Sequence, residues 1–303
     1  MAETKVQPWE TRIEGAPALA VRVREGRGSP VVLLHGWGRT LEDWEPVGAL
    51  LARDHAVYAV DLRGHGLSAD AASSLDGHVD DLIRVIGHFG LERPVLAGYG
   101  LGGAVALACA TRRSGLAGVV AIEAHGRPRG AELAERLGVS PCAAEDLAAA
   151  AHRFAVAQAL ARTEPVPLDA FERRLAELRG GPCGAPGDVL AASALRSVRM
   201  GDGVVAPRPG PRAVRALDAA FDEYRPSCVH DRLLAPAVEL VSTAPAPVPP
   251  GAPERYADVL AARTAAELAA EAPLLTVRPV EGGHPHLTAP ALVADLVHAA
   301  ASA

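Results

Sequence analysis

Pro94-Val95-Leu96-Ala97-Gly98-Tyr99-Gly100-Leu101-Gly102-Gly103 is the stretch that decides the fold. An apolar run ends in Gly-x-Gly-x-Gly and leads directly into Ala104-Val105-Ala106-Leu107-Ala108-Cys109-Ala110, a strong helix former. The pattern predicts a strand turning sharply into a helix. Upstream, Ser29 to His35 and His55 to Val60 are short continuous apolar runs, as buried parallel strands should be. The first ends in His35-Gly36-Trp37-Gly38, the second in Asp61-Leu62-Arg63-Gly64-His65-Gly66-Leu67-Ser68. Helical patterns lie between these runs, over Glu45 to Arg53 and Ser74 to Phe89, the latter closed by Gly90. A further strand, Leu116 to Ile122, ends at Glu123. Strand and helix alternating in this rhythm predict a parallel sheet covered on both faces. Ligands of such sheets sit outside the carboxyl ends of the strands. His35, Asp61, Gly100 and Glu123 all fall there.

The flanks complete the picture. Trp9 to Gly15 and Ala18 to Glu25 read as two antiparallel strands around Gly15-Ala16-Pro17. From Ala124 to Pro236 the rhythm breaks, with helical segments at Arg129–Leu137, Cys142–Arg162, Leu168–Leu178 and Pro211–Glu223. Gly180 to Gly187 reads as a loop or hinge. Sheet order resumes at Ala237 to Thr243. A helix over Glu254 to Glu271, with Pro253 in its first turn, precedes the last strand, Leu274 to Val280. Gly282-Gly283-His284-Pro285-His286 is the last loop, and Pro290 to Ala301 the closing helix. The expectation is an α/β protein with a mostly parallel eight-stranded sheet flanked by helices. Residues 1–123 and 237–303 would form its core, and 124–236 a mostly helical cap. No internal repeat is present.

The chain has 303 residues, 49% hydrophobic and 22% charged, the balance of a globular protein. A net charge of −6 gives no general attraction to nucleic acid or acidic membranes. Lys5 is the sole lysine, which with the abundant alanine suggests a GC-rich bacterial source. Met1 to Val6 lacks an apolar signal region, and no run is long enough to span a bilayer. Cys109, Cys142, Cys183 and Cys228 form no CxxC pair, so the expectation is reduced cysteines in a cytoplasmic protein without metal or cofactor. A monomer or homodimer acting on a small molecule is expected.

The His-Gly loop, the Asp61–Ser68 stretch, the Gly98–Gly102 turn and Gly282-Gly283-His284, in that order, resemble the α/β-hydrolase superfamily over nearly the whole chain. In that family the turn is the nucleophile elbow Gly-x-Ser-x-Gly, so Gly100 stands at the nucleophile position. The resemblance implies an oxyanion hole made by the backbone N–H groups of Trp37 and Leu101, and a general base in His284. The family's usual acid position, after Ala237–Thr243, reads Ser242-Thr243-Ala244-Pro245-Ala246-Pro247 and has no carboxylate. Some members of this fold place the acid where Glu123 stands, so Glu123 is the candidate to orient His284.

Without a nucleophile, covalent catalysis is lost, whereas an oxyanion hole and acid–base chemistry survive. The leading expectation is cofactor-independent, non-hydrolytic chemistry on a small carbonyl-containing metabolite: elimination, cyclisation, isomerisation or C–C cleavage, in secondary metabolism. Two alternatives stand beside it. One is ester, thioester or lactone hydrolysis by activated water or by a native serine replaced at position 100; the other is a non-catalytic binding protein. Gly36, Trp37, Tyr99 and His125 are candidates for substrate contact. Asp61 and His65 belong to a structural turn, and His286 is expected on the surface. Asp43 and Trp44 are candidates for the pocket rim. Arg127, Arg129 and Arg153 are expected on a solvated face, with one or two available to an anionic substrate.

Overall fold

A computed structural model describes residues 7–181 and 184–302. The reading of Met1 to Val6, the centre of the Gly180–Gly187 loop and Cys183 lie outside the described residues. The chain opens with an antiparallel pair, β1 (Trp9–Ile13) and β2 (Leu19–Arg24). There follow β3 (Gly28–Leu34), α1 (Glu45–Leu51), β4 (His55–Val60), α2 (Leu75–His88), β5 (Val95–Tyr99), α3 (Leu101–Ala110) and β6 (Gly118–Ile122). Ser74 caps α2, its hydroxyl accepting from the Gly77 N–H at 3.1 Å. Val79, Leu82, Val85 and Ile86 bury that helix against the sheet, as their spacing predicts. All ten residues of α3 are buried, in keeping with a central helix of small and apolar side chains.

Between β6 and the next strand of the main sheet lie α4 (Gly130–Leu137), α5 (Pro141–Ala161), α6 (Leu168–Arg179), α7 (Gly187–Arg196), α8 (Pro211–Phe221) and α9 (Pro226–His230). Three short strands accompany them: β7 (Val166–Pro167), β8 (Val198–Met200) and β9 (Val204–Pro207), an antiparallel sheet in the order β7-β9-β8. The expectation of a mostly helical segment omitted this sheet, α7 and the short α9. Two- to four-residue strands have no readable alternation, and α7 starts inside a Gly- and Pro-rich stretch.

The chain then resumes with β10 (Ala237–Ser242), α10 (Tyr256–Leu268), β11 (Leu275–Val280), α11 (Pro285–Thr288) and α12 (Pro290–Ser302). Helix α10 starts at Tyr256, so Pro253 precedes it; Arg255, at φ 58°, sets the boundary. The main sheet has eight strands in the order β1-β2-β4-β3-β5-β6-β10-β11. It is parallel from β4 to β11 and antiparallel at the β1 and β2 edge. One apolar cluster packs α2 and α3 on one face; the other packs α1 and α12 on the opposite face. No helix of the described residues is long and apolar enough to cross a membrane.

Arginines from the segment after β6 fasten it to the loop after β4. Arg196 Nε donates to the Asp61 carboxylate at 2.8 Å, and Arg208 donates to the carbonyls of Gly66 and Ser68. Asp61 also accepts the Leu41 and Leu67 N–H groups, so it does fix the turn. His65 is buried in it, its ring against His35 and Trp37.

Candidate functional site

The turn from β5 to α3 is built by two glycines on either side of position 100. A Cβ on Gly98 would come within 2.2 Å of the Gly102 carbonyl oxygen, and one on Gly102 within 2.2 Å of the Leu34 carbonyl oxygen. Strand and helix therefore approach more closely than any side chain permits. Gly100 differs. Its backbone is left-handed, φ 53° and ψ −114°, and its N–H donates to Ile122 O at 2.8 Å. A Cβ there would meet only the Gly36 Cα, at 3.8 Å. The position has the strained backbone of an elbow and room for a side chain it does not carry.

The His-Gly loop is held from below. The Leu62 N–H donates to His35 Nε2 at 3.0 Å, which leaves Nδ1 as the protonated nitrogen, 2.7 Å from Gly36 O. Complete burial lowers the pKa of His35 and keeps the ring neutral. Among the described residues, neither the Trp37 N–H nor the Leu101 N–H donates to a protein acceptor. Both residues, with Gly100 and Glu123, line one cavity of about 290 Å³. Its walls are largely apolar: Ala155, Val156 and Ala159 of α5, and Val214, Leu217 and Phe221 of α8. Gly36, Tyr99 and His284 do not line this cavity. Gly36 lies so close to the Tyr99 ring that a Cβ would approach Cδ1 to 2.6 Å.

His284 stands at the start of α11 with a left-handed backbone, φ 56°. Its ring meets the Tyr99 ring edge-on at 5.0 Å between centroids. No hydrogen bond joins it to Glu123 or to any other carboxylate among the described residues. Partial desolvation, together with His286 and Arg39, lowers its pKa, so the ring is neutral at pH 7. His286, expected on the surface, is fully buried, because the first turn of α11 folds it under Tyr99. Its Nε2 lies 4.0 Å from Asp43, which Arg39 Nε also holds at 2.5 Å. Burial alone would raise the Asp43 pKa; His286 and Arg39 drive it below the usual carboxylate range instead. Asp43 and Trp44 are thus buried and do not reach the cavity rim.

Glu123 departs from expectation in its partner. It adopts φ 53° directly after β6. One carboxylate oxygen accepts from His125 Nε2 at 2.7 Å, the other from the Ser242 N–H at the end of β10. The other side of the His125 ring faces Glu267 of α10 in an ion pair. Burial opposes protonation of His125, but the two carboxylates overcome it and push its pKa up to about 9. The same contact keeps Glu123 ionised against its own burial. The carboxylate expected to orient His284 is therefore occupied by a second histidine. His125 lines the cavity, as does Arg127.

Arg127 is not on a solvated face. Its Nη2 donates to Asp218 at 2.5 Å, its Nη1 pairs with Asp222, and Asp218 also holds His152 Nε2 at 3.0 Å. Arg129 donates to Asp222 O, while Arg153 is exposed. Sequence reasoning missed Glu267, Asp218 and His152. All three come from helices whose approach to the turn no local pattern encodes. A second cavity, about 320 Å³, shares His125, Arg127, His152, Ala155 and Phe221 with the first.

The model of the Alpha/beta hydrolase family matches residues 31–296. The chain is 35% identical over 82 residues to the pimeloyl-[acyl-carrier protein] methyl ester esterase of Aliivibrio salmonicida (strain LFI1238), covering 27% of this chain and 30% of that protein. It is 38% identical over 109 residues to the 2-succinyl-6-hydroxy-2,4-cyclohexadiene-1-carboxylate synthase of Escherichia coli O8 (strain IAI1), covering 35% of this chain and 41% of that protein. The matched stretches thus span well under half of these curated relatives. Among solved structures, E-2-(acetamidomethylene)succinate hydrolase superposes with a TM-score of 0.71 at 18% identity, over 98% of this chain and 100% of that one.

Proposed function

The chain belongs to the alpha/beta hydrolase family, and from its site we propose that it hydrolyses a small ester, thioester or lactone by activated water, without an acyl-enzyme. The observation that carries this reading is the room at position 100. A side chain would fit there against nothing nearer than the Gly36 Cα, so the space beside the oxyanion amides can take a water molecule instead.

The substrate carbonyl oxygen accepts from the Trp37 and Leu101 N–H groups. Each such donor contributes about 3 kcal/mol to the transition state when charge develops on that oxygen. The water oxygen attacks the carbonyl carbon while neutral His284 takes a water proton. The tetrahedral intermediate collapses, the bond to the leaving oxygen or sulfur breaks, and His284 returns the proton to it. No carboxylate is needed to keep His284 neutral, because desolvation already does so. The apolar walls of the cavity suit an acyl chain or ring. The family match and the esterase relative support hydrolysis over other chemistry.

Intact-protein mass spectrometry during turnover of a chromogenic thioester tests this. The expected result is no covalent adduct, no burst, and loss of turnover in His284→Ala. An acyl adduct would overturn it. A second reading, elimination or ring closure, is favoured by the likeness to a synthase and uses the same amides to hold an enolate. Turnover in ¹⁸O-water separates the two: hydrolysis puts label into the product carboxylate, and elimination does not.

A further inference from the structure

A third cavity, of about 1020 Å³, lies on the other side of α8 from the catalytic one. Val214, Leu217, Asp218 and Phe221 face the catalytic cavity at helical spacing. Arg212, Arg215 and Ala216, on the opposite face of the same helix, line the large one. Its remaining walls are the loop from Asp70 to Ser73, the end of α5 and β9.

The charge of this cavity runs against that of the chain. The protein carries −6 overall, yet four arginines (Arg199, Arg208, Arg212 and Arg215) line the space against two carboxylates, Asp70 and Glu164. Asp70 is shared by Arg199 at 2.7 Å and Arg208 at 2.6 Å. Arg212 and Arg215 have no acidic partner among the described residues, and both are exposed. They sit on the first turns of α8, at the positive end of the helix dipole. Arg208 is 9% exposed, and its Nε–H finds no acceptor. Its Nη1 and Nη2 donate to Gly66 O, Ser68 O and Asp70. A buried guanidinium, two arginines without acidic partners and a helix start therefore line one space.

We propose that this cavity is a binding site for a phosphate-bearing ligand, separate from the cavity over Gly100. Guanidinium groups match phosphate oxygens in two-pronged fashion, and several arginines suit a multiply charged anion better than a single carboxylate. The volume admits a ligand well beyond a lone phosphate. Ala71, Ala72, Leu160 and Pro165 supply apolar wall for an organic portion. The site does not depend on the reaction proposed above.

Isothermal titration of the whole protein with inorganic diphosphate, coenzyme A and citrate, at low and raised salt, tests the assignment. Diphosphate or coenzyme A should bind, more weakly as salt rises. The Arg212→Glu/Arg215→Glu variant, whose replaced side chains are exposed, should lose at least tenfold in affinity, about 1.4 kcal/mol, while keeping its circular dichroism and melting temperature. Tighter binding of coenzyme A points to a phosphate ester; equal or tighter binding of diphosphate points to the free anion. Three results would overturn the proposal: no binding of either phosphate, equal binding by the variant, or citrate binding as tightly as both.

Discussion

Two histidines flank the same turn and live in opposite surroundings. His284 stands at the start of α11 with an aromatic neighbour and no carboxylate, and is neutral at pH 7. His125 lies between Glu123 and Glu267 and is a cation up to about pH 9. The family resemblance would give the carboxylate to the first. The fold gives it to the second. On the proposed function, the difference separates two jobs that an acid–histidine pair usually combines: proton transfer is assigned to the unpaired ring, and electrostatic anchoring to the paired one. Through Glu123 and Glu267, His125 links the end of β6 to α10, so its pairing holds one wall of the site in place.

The largest expected effect is on the unpaired ring. His284→Ala should lower kcat by about 10²- to 10⁴-fold with little change in melting temperature. A drop in stability without a drop in kcat would reverse the two roles. His125→Leu should do the opposite, destabilising the fold by about 3–5 kcal/mol, because two buried carboxylates then lose the cation between them. Denaturant unfolding measures it.

The pH dependence sharpens the contrast. The folded pKa of His125, about 9, exceeds its unfolded value of about 6.5. Its contribution to stability is therefore complete below pH 6.5 and is lost as pH rises through 9, about 3 kcal/mol in all. Melting temperature should fall across that window in the parent protein and not in His125→Leu. For His284 the sign is reversed: its lowered pKa places the acid limb of kcat/KM below pH 6.5. A limb above pH 6.5 would contradict the neutral-base assignment. The smallest effect is on one partner alone. Glu267→Gln should lower the His125 pKa by about one unit, read by NMR titration.

Much of the fold was legible because buried parallel strands are apolar runs bounded by turn residues. Ser29–His35, His55–Val60 and Leu116–Ile122 fall within a residue or two of β3, β4 and β6. The turn at Gly100 was legible because steric crowding at Gly98 and Gly102 leaves glycine no substitute. What was not legible depends on contacts across long separations. Glu267 lies on a helix 142 positions after His125, and nothing local marks it as the second carboxylate. Burial of His286 follows from the way α11 begins, which the neighbouring prolines and glycines suggest only as a loop. The arginine ties of Arg196 and Arg208 to the Asp61–Asp70 loop were hidden in a basic, alanine-rich stretch.

The open space at Gly100 has one more consequence. Gly98 and Gly102 carry the close contact between strand and helix, so position 100 bears none of the packing load. Some glycine codons become serine codons by a single base change. Serine is within one base change of such codons, and a Cβ at position 100 meets no neighbouring side chain. On the proposed function, a lineage on this scaffold can cross between covalent and water-based chemistry, in either direction, without losing the packing of the turn.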